Sequence, residues 1–197
     1  ARVLFQDRTE LLEIEVEFTA ALAPVNPFDF FVEPGAERYP FGYGDAALGD
    51  LPPFLALTES GERLARWLTE FQTAERPEGK ATVDLLVGIT RRLKADIAYV
   101  TRLEHGVQSC EETLRLRSGS CRDSGWLLVQ VLRHLGIAAR FVSGYLVQLA
   151  GDAPDAPQAD SADLHAWAEA YVPGAGWIDL DPTSGLFAAE GHIPLAR

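Results

Sequence analysis

The order of hydrophobic patterns along the chain predicts an α+β fold, in which helices are followed by an antiparallel sheet. Apolar residues recur at helical spacing between residues 58 and 135, and between 139 and 181 the pattern changes to strand-like alternation. Residues 11–18 alternate from Glu13 onward, with Ile14, Val16 and Phe18 on one side and Glu13, Glu15 and Glu17 on the other. This predicts a half-buried strand. Residues 26–53 are rich in Pro, Gly, Asp and aromatics without a helical period, and read as irregular or short-stranded connection. A boundary near residue 57 therefore divides a β-rich region, 1–57, from a core, 58–197. No internal repeat is present.

The core opens with a helix over 58–71, whose Leu64, Trp67, Leu68 and Phe71 share a face. Glu75-Arg-Pro-Glu-Gly-Lys80 ends it and a second helix starts at Val83. Ser109-Cys-Glu-Glu112 has the pattern in which serine and glutamate each satisfy an orphan N–H at a helix start. The short helix it opens should end at Ser118-Gly119. Ser120-Cys-Arg-Asp123 repeats the pattern and opens a longer helix, with Leu127, Leu128, Val131, Leu132 and Leu135 facing a core and Gly136 in the terminating position. Cys121 falls in the first turn of this helix. A strand over 139–149, interrupted at Ser143-Gly144, leads into the polar low-complexity stretch 150–162, a candidate lid. Residues 164–172 then alternate, placing His165, Trp167, Glu169 and Tyr171 on one face, before a turn at Pro173-Gly-Ala-Gly176 and a returning strand to Asp181.

The formal charge of -12 and pI near 4.7 exclude nucleic acid and anionic membrane as expected partners, since both need a positive field. Arg91-Arg92-Lys94 and Arg115 with Arg117 lie in helical stretches among acids and read as solvated faces. No apolar run approaches the ~18 residues of a membrane span, and ARVLFQDRTELLE lacks the basic and apolar regions of a signal peptide. The expected compartment is cytoplasmic. The chain contains no methionine, which marks it as a processed chain or a piece of a longer one. Two cysteines make no disulfide framework, so Cys121 reads as a free thiol.

An odd-length loop around Gly174 would put the odd-numbered residues of both hairpin strands on one face, with His165 and Asp181 opposite or diagonal. An even loop would separate them. Facing the start of the Cys121 helix, such a pair suits nucleophilic catalysis: Asp181 fixes the imidazole tautomer and His165 takes the thiol proton. The helix dipole favours the thiolate as well, and the Cys121 N–H offers half of an oxyanion hole. Asp179 shares the parity of Asp181 and competes for the third role. Cys110 reads as a small buried helix residue. Asp123 reads as a capping carboxylate, and His105, His134 and His192 as structural or solvent-facing. Glu169 is expected to pair with Arg140, while Trp167, Trp177 and Tyr145 read as core or cleft-wall aromatics. No CxxC or HxxxH spacing supports a zinc site.

Gly119-Ser-Cys-Arg-Asp123, Leu135-Gly-Ile-Ala-Ala-Arg-Phe-Val-Ser-Gly-Tyr145, His165-Ala-Trp-Ala-Glu169 and Gly176-Trp-Ile-Asp-Leu-Asp-Pro-Thr183 together resemble the core of the transglutaminase-like superfamily over about residues 80–190. The resemblance implies a papain-like α+β fold, with the nucleophile at a helix N-terminus packed on an antiparallel sheet. It also implies acyl transfer through a thioester. It matches Cys121 to the nucleophile, His165 to the base and Asp181 to the orienting carboxylate. The substrate it implies is a peptide or protein amide, with hydrolysis and transamidation both open. No cofactor and no metal are expected. Residues 8–57 resemble the β-rich region preceding this core in bacterial members, and such proteins are expected to continue past Gly191-His-Ile-Pro194. Further domains of a longer chain are thus expected partners. The rival reading is a non-catalytic module of the same fold that binds a peptide or protein partner in its cleft.

Overall fold

A computed structural model describes residues 8, 10, 11, 13, 15, 17, 19, 21, 26–150 and 159–197. Of the strand expected over 13–18, Glu13, Glu15 and Glu17 are exposed and outside any strand, while Ile14, Val16 and Phe18 lie outside the described residues. The described residues 26–57 hold no strand of their own. They form a single turn at Pro34–Ala36 and two short helices, α1 (Asp45–Leu48) and α2 (Pro52–Leu55), with one isolated bridge from Arg38 to Ala81. This corrects the β-rich expectation for that stretch. It is tied to the core by hydrogen bonds instead: Glu33 N–H donates to Pro173 O, the Tyr39 hydroxyl to Leu135 O, and Thr82 Oγ1 to Ala36 O.

Helix α3 runs Glu62–Glu75 and buries Leu64, Trp67, Leu68 and Phe71. It starts four residues later than its sequence pattern suggests because 58–61 are held elsewhere. Gln130 accepts from the N–H groups of Thr58 and Glu59, and the Glu111 carboxylate accepts from those of Arg63 and Leu64. A carboxylate supplied from a distant helix thus caps the orphan donors and complements the positive helix end. Helix α4 (Thr82–Asp96) buries Leu85, Leu86, Ile89 and Leu93 at the three-to-four spacing of one face. Strand β1 (Ala98–Tyr99) pairs in parallel with β2 (Ser118–Gly119), which follows α5 (Cys110–Leu116).

Helix α6 (Cys121–His134) is the central packing element, with Leu127, Leu128, Val131 and Leu132 wholly buried. Full burial of such a side chain contributes roughly 1.5–3 kcal/mol. Gly136, at φ 75°, ends the helix: its N–H reaches Arg133 O and the Ile137 N–H reaches Leu132 O, both at 2.9 Å. These two bonds make a Schellman motif, in which the apolar Ile137 folds back beside Leu132.

The sheet contains β3 (Ala139–Gln148), β4 (Ser161–Val172), β5 (Gly176–Asp181), β6 (Leu186–Phe187) and β7 (His192–Ala196), in the order β6-β5-β4-β3-β7. Every neighbouring pair is antiparallel. Ala168, Ala170 and Val172 join the core that α6 fills. The small side chains, together with Gly125, let the helix approach closely: a Cβ on Gly125 would meet the Trp167 carbonyl oxygen at 3.4 Å. Strand β4 starts at Ser161, opposite Gln148, so the polar stretch is shorter than its composition suggests. The lid expectation rests on 151–158, outside the described residues.

Candidate active site

The β4–β5 connection is a three-residue loop, 173–175, with Val172 opposite Gly176 and Glu169 opposite Asp179. Its odd length puts His165 and Asp181 on one face in a diagonal relation, and His165 Nε2 lies 3.2 Å from Asp181 Oδ2. Asp179 is engaged elsewhere, accepting from Trp167 Nε1 at 2.6 Å. Burial and the facing Glu169 raise its pKa. Parity alone left the two aspartates equivalent; the indole bond separates them.

Cys121 occupies the first position of α6, 8% exposed. Asp123, two residues on, accepts from both the backbone N–H and the hydroxyl of Ser120 at 2.8 Å, which fixes the helix start. Burial pushes the Cys121 thiol up, but the hydrogen bond and charge of His165 and the N–H groups of Ala166 and Arg122 outweigh it and hold the thiol below its ordinary value. For His165, burial acts downward, while bonds to Asp181 and Cys121 push its pKa up to about 9. Burial also opposes the charge on Asp181, yet the His165 and His192 donors and Thr183 keep its carboxyl far below the usual range. The three groups together favour a thiolate–imidazolium pair backed by a carboxylate.

Asp181 is itself firmly held. Its Oδ1 accepts from the Thr183 N–H at 2.8 Å and the Thr183 hydroxyl at 2.6 Å, leaving Oδ2 for imidazole. That oxygen takes a second histidine, His192, whose Nε2 stands 3.4 Å away. The sequence reading placed His192 among structural or solvent-facing residues; the structure puts it on β7, with its ring edge-on to Trp167 and tilted over His165. No sequence signal could have found it, because its approach depends on an edge pairing between β7 and β3.

His165, Asp181 and His192 bring three potential metal-ligand atoms within 4.8 Å of one another. Their hydrogen bonds do not suit an ion. The Ala189 N–H donates to Nδ1 of His192, so the neutral ring carries its proton on Nε2 and offers Asp181 a donor instead of a lone pair.

Cys110 begins α5, where burial and the neighbouring Glu59 carboxylate push its thiol far up. His134 bonds Glu59 O from the last turn of α6. Glu169 is buried and pairs with both Arg140 and Arg197, and the Arg140 guanidinium lies 4.0 Å over the Trp177 ring. Two clefts meet at His165. One, of about 490 Å³, reaches Cys121, Ser120 and Phe141; the other, of about 800 Å³, reaches Asp181, Thr183, Asp163 and Lys94.

A model of the transglutaminase-like superfamily core matches residues 64–182. An uncharacterised protein of Mycobacterium tuberculosis strain H37Rv is 32% identical over 127 residues, which cover 58% of this chain and 38% of that protein. A protein-glutamine gamma-glutamyltransferase of Pseudomonas aeruginosa is 39% identical over 67 residues, 34% of this chain and 10% of the enzyme. The chain therefore spans well under half the length of these relatives. Among solved structures, a protein from Cytophaga hutchinsonii, described as a proposed cysteine protease, superposes with a TM-score of 0.50 at 22% identity, covering 79% of this chain and 50% of that one. At that identity the likeness concerns the fold.

Proposed function

Because the chain belongs to the transglutaminase-like superfamily, we propose that it is a cysteine-dependent acyl-transfer enzyme acting on amide bonds through a thioester on Cys121. The observation that carries this reading is the continuous hydrogen-bonded line from Cys121 through His165 to the buried Asp181, with the thiol held low and the imidazole raised. In the reaction, the Cys121 thiolate adds to the amide carbonyl carbon. The carbon–nitrogen bond then breaks as His165 gives its proton to the leaving amine. Water or a second amine attacks the thioester, His165 takes back a proton, and the acid or a new amide departs with the thiol restored. The Cys121 N–H lies in the helix turn whose donors lack intrahelical partners, which suits it to the developing oxyanion. The name of the Pseudomonas relative, a protein-glutamine gamma-glutamyltransferase, supports a glutamine carboxamide as one acyl donor beside a peptide bond, and the thioester step is common to transfer and hydrolysis.

The test is the pH dependence of Cys121 alkylation by iodoacetamide in the Cys110→Ala background. Rapid reaction well below pH 8 that is lost in His165→Ala and altered in Asp181→Asn is expected. An ordinary thiol profile indifferent to His165 would leave only the fold and would favour a non-catalytic binding module.

A further inference from the structure

The cleft that ends at Cys121 is walled by apolar side chains that remain open to solvent. Leu103, Leu164 and Leu195 are 91%, 77% and 63% exposed, Tyr99 is 53% and Val107 46%, and Phe141 lies deeper. Lone exposed leucines need no explanation, but several gathered around one reactive thiol do. The cleft also contains two arginines, Arg102 and Arg122, that would ordinarily make it a site for acids. Both are already engaged. Arg102 is bound to the buried Asp123 carboxylate and bonds Gly106 O, while Arg122 donates to the carbonyls of Arg102 and Glu104. Arg102 spends its charge on Asp123 and Arg122 is held by the loop carbonyls, so most of the surface beside the thiol is presented by the apolar side chains.

The cleft on the other side of His165 shares Tyr99 and Leu164 with the first but is more polar, adding Asp163, Lys94, Gln148, Thr183 and Ser184 to its walls. The chemistry distinguishes the two sides. The acyl group stays bonded to Cys121 through the thioester and so lies in the Cys121 cleft, whereas the amine that exchanges a proton with His165 lies toward the polar one. Resting on the acyl-transfer reading with a peptide bond as the amide attacked, we infer that the enzyme selects an acyl donor with an apolar side chain next to the reacting carbonyl over one with an acidic side chain there. The occupant is an apolar segment of a polypeptide substrate.

Two irreversible labels test this: N-acetyl-leucyl and N-acetyl-aspartyl chloromethyl ketones. With each, the Cys121 thiolate displaces chloride as the sulfur–carbon bond forms, so the side chain sits on the acyl side. Labelling rates are followed by mass in the Cys110→Ala protein and divided by the iodoacetamide rate, which removes intrinsic thiol reactivity. The leucyl label should exceed the aspartyl one by about tenfold to a hundredfold after this correction, the range for seating one such apolar side chain. Leu103→Gln, at a position too exposed to unsettle the fold, should reduce the leucyl rate after division by the iodoacetamide rate of the same variant. Equal corrected rates, or a corrected leucyl rate indifferent to Leu103→Gln, would overturn the inference while leaving the thioester chemistry intact. A slow, His165-independent reaction with all three reagents would instead remove the acyl-transfer reading, and this inference with it.

Discussion

The guanidinium of Arg102 grips the buried carboxylate of Asp123 through two nitrogens, at 2.8 and 3.2 Å. The same carboxylate accepts from the N–H groups of Ser120 and Gln108, both at 2.8 Å. One aspartate thus joins the start of the Cys121 helix to the loop that forms the cleft wall. Burial pushes its pKa up, but Arg102, Gln108 and Ser120 outweigh burial and keep it depressed. Asp123→Ala leaves Arg102 only the exposed Glu104 as an ionic partner and strips the Ser120 and Gln108 N–H groups of their acceptor, and should cost about 3 kcal/mol, read from urea unfolding at neutral pH. Since the folded pKa lies below the unfolded one, this contribution is present above roughly pH 4 and fades as pH falls through the folded value. A difference from the parent that does not shrink on acidification would contradict this role.

The Cys121–His165 pair has a linkage consequence that differs from that of either group alone. In the folded chain the thiol is lowered and His165 is raised to about 9, the directions of an ion pair, and a pair so formed carries one proton, on the imidazole. Between roughly pH 6.5 and 8.5 the unfolded pair also carries one, on the thiol. Equal proton numbers give no slope from this pair. In Cys121→Ser the bond and charge of Asp181 still favour the native imidazolium against burial, while its unfolded counterpart has lost its proton. Stability of that variant should fall as pH rises through this window, by up to about 1.4 kcal/mol per pH unit relative to the parent. Parallel stability curves would show that no ion pair forms.

How much of this was legible differs by element. The position of Cys121 in a helix turn could be read from Ser120 and Asp123 because capping is local. The diagonal placement of His165 and Asp181 needed only the loop parity around Gly174. Alternation put Glu169 on the strand face, but its arginine partners Arg140 and Arg197 are set by pairing across the sheet. The late start of α3 could not be anticipated, since its capping carboxylate, Glu111, is 47 residues from Leu64. Nor could the helical turns of 45–55, in a stretch whose prolines, glycines and aspartates signal only irregularity. Strand β7 was invisible for a related reason: His192-Ile-Pro-Leu-Ala196 has no alternating polar face, and its conformation is set by the edge of β3.

That edge is sensitive to Gly144. A Cβ there would lie 2.0 Å from the Ile193 carbonyl oxygen, and the partner is backbone, so β7 must move to admit it. The pairing of β3 with β7 also shifts register between Ser143 and Gly144, where the absence of a side chain allows the strands to meet. Gly144→Ala should therefore detach β7 with only a modest loss of overall stability, because the core under α6 is untouched. Amide hydrogen exchange should show early loss of protection at Val147, whose N–H bonds Gly191 O across this edge, with α6 still protected. Uniform protection across both would mean that the edge tolerates the methyl group.

His192 is the residue this edge delivers to the site, and its role is one of positioning. It lines neither cleft, yet it donates to the Asp181 oxygen that His165 uses. With Thr183 holding Oδ1, the second imidazole completes the set of donors that keeps the carboxylate from turning away. His192→Ala should lower kcat about tenfold with KM unchanged, the scale expected for losing one hydrogen bond to a charged group. The same substitution should distort the pH profile of Cys121 alkylation, which reads the pair without any substrate. His192→Gln retains an N–H able to reach Asp181 and should recover most of the rate. If alanine and glutamine were equally impaired, the ring would be acting through its packing against Trp167, and the hydrogen bond to Asp181 would carry no part of the effect.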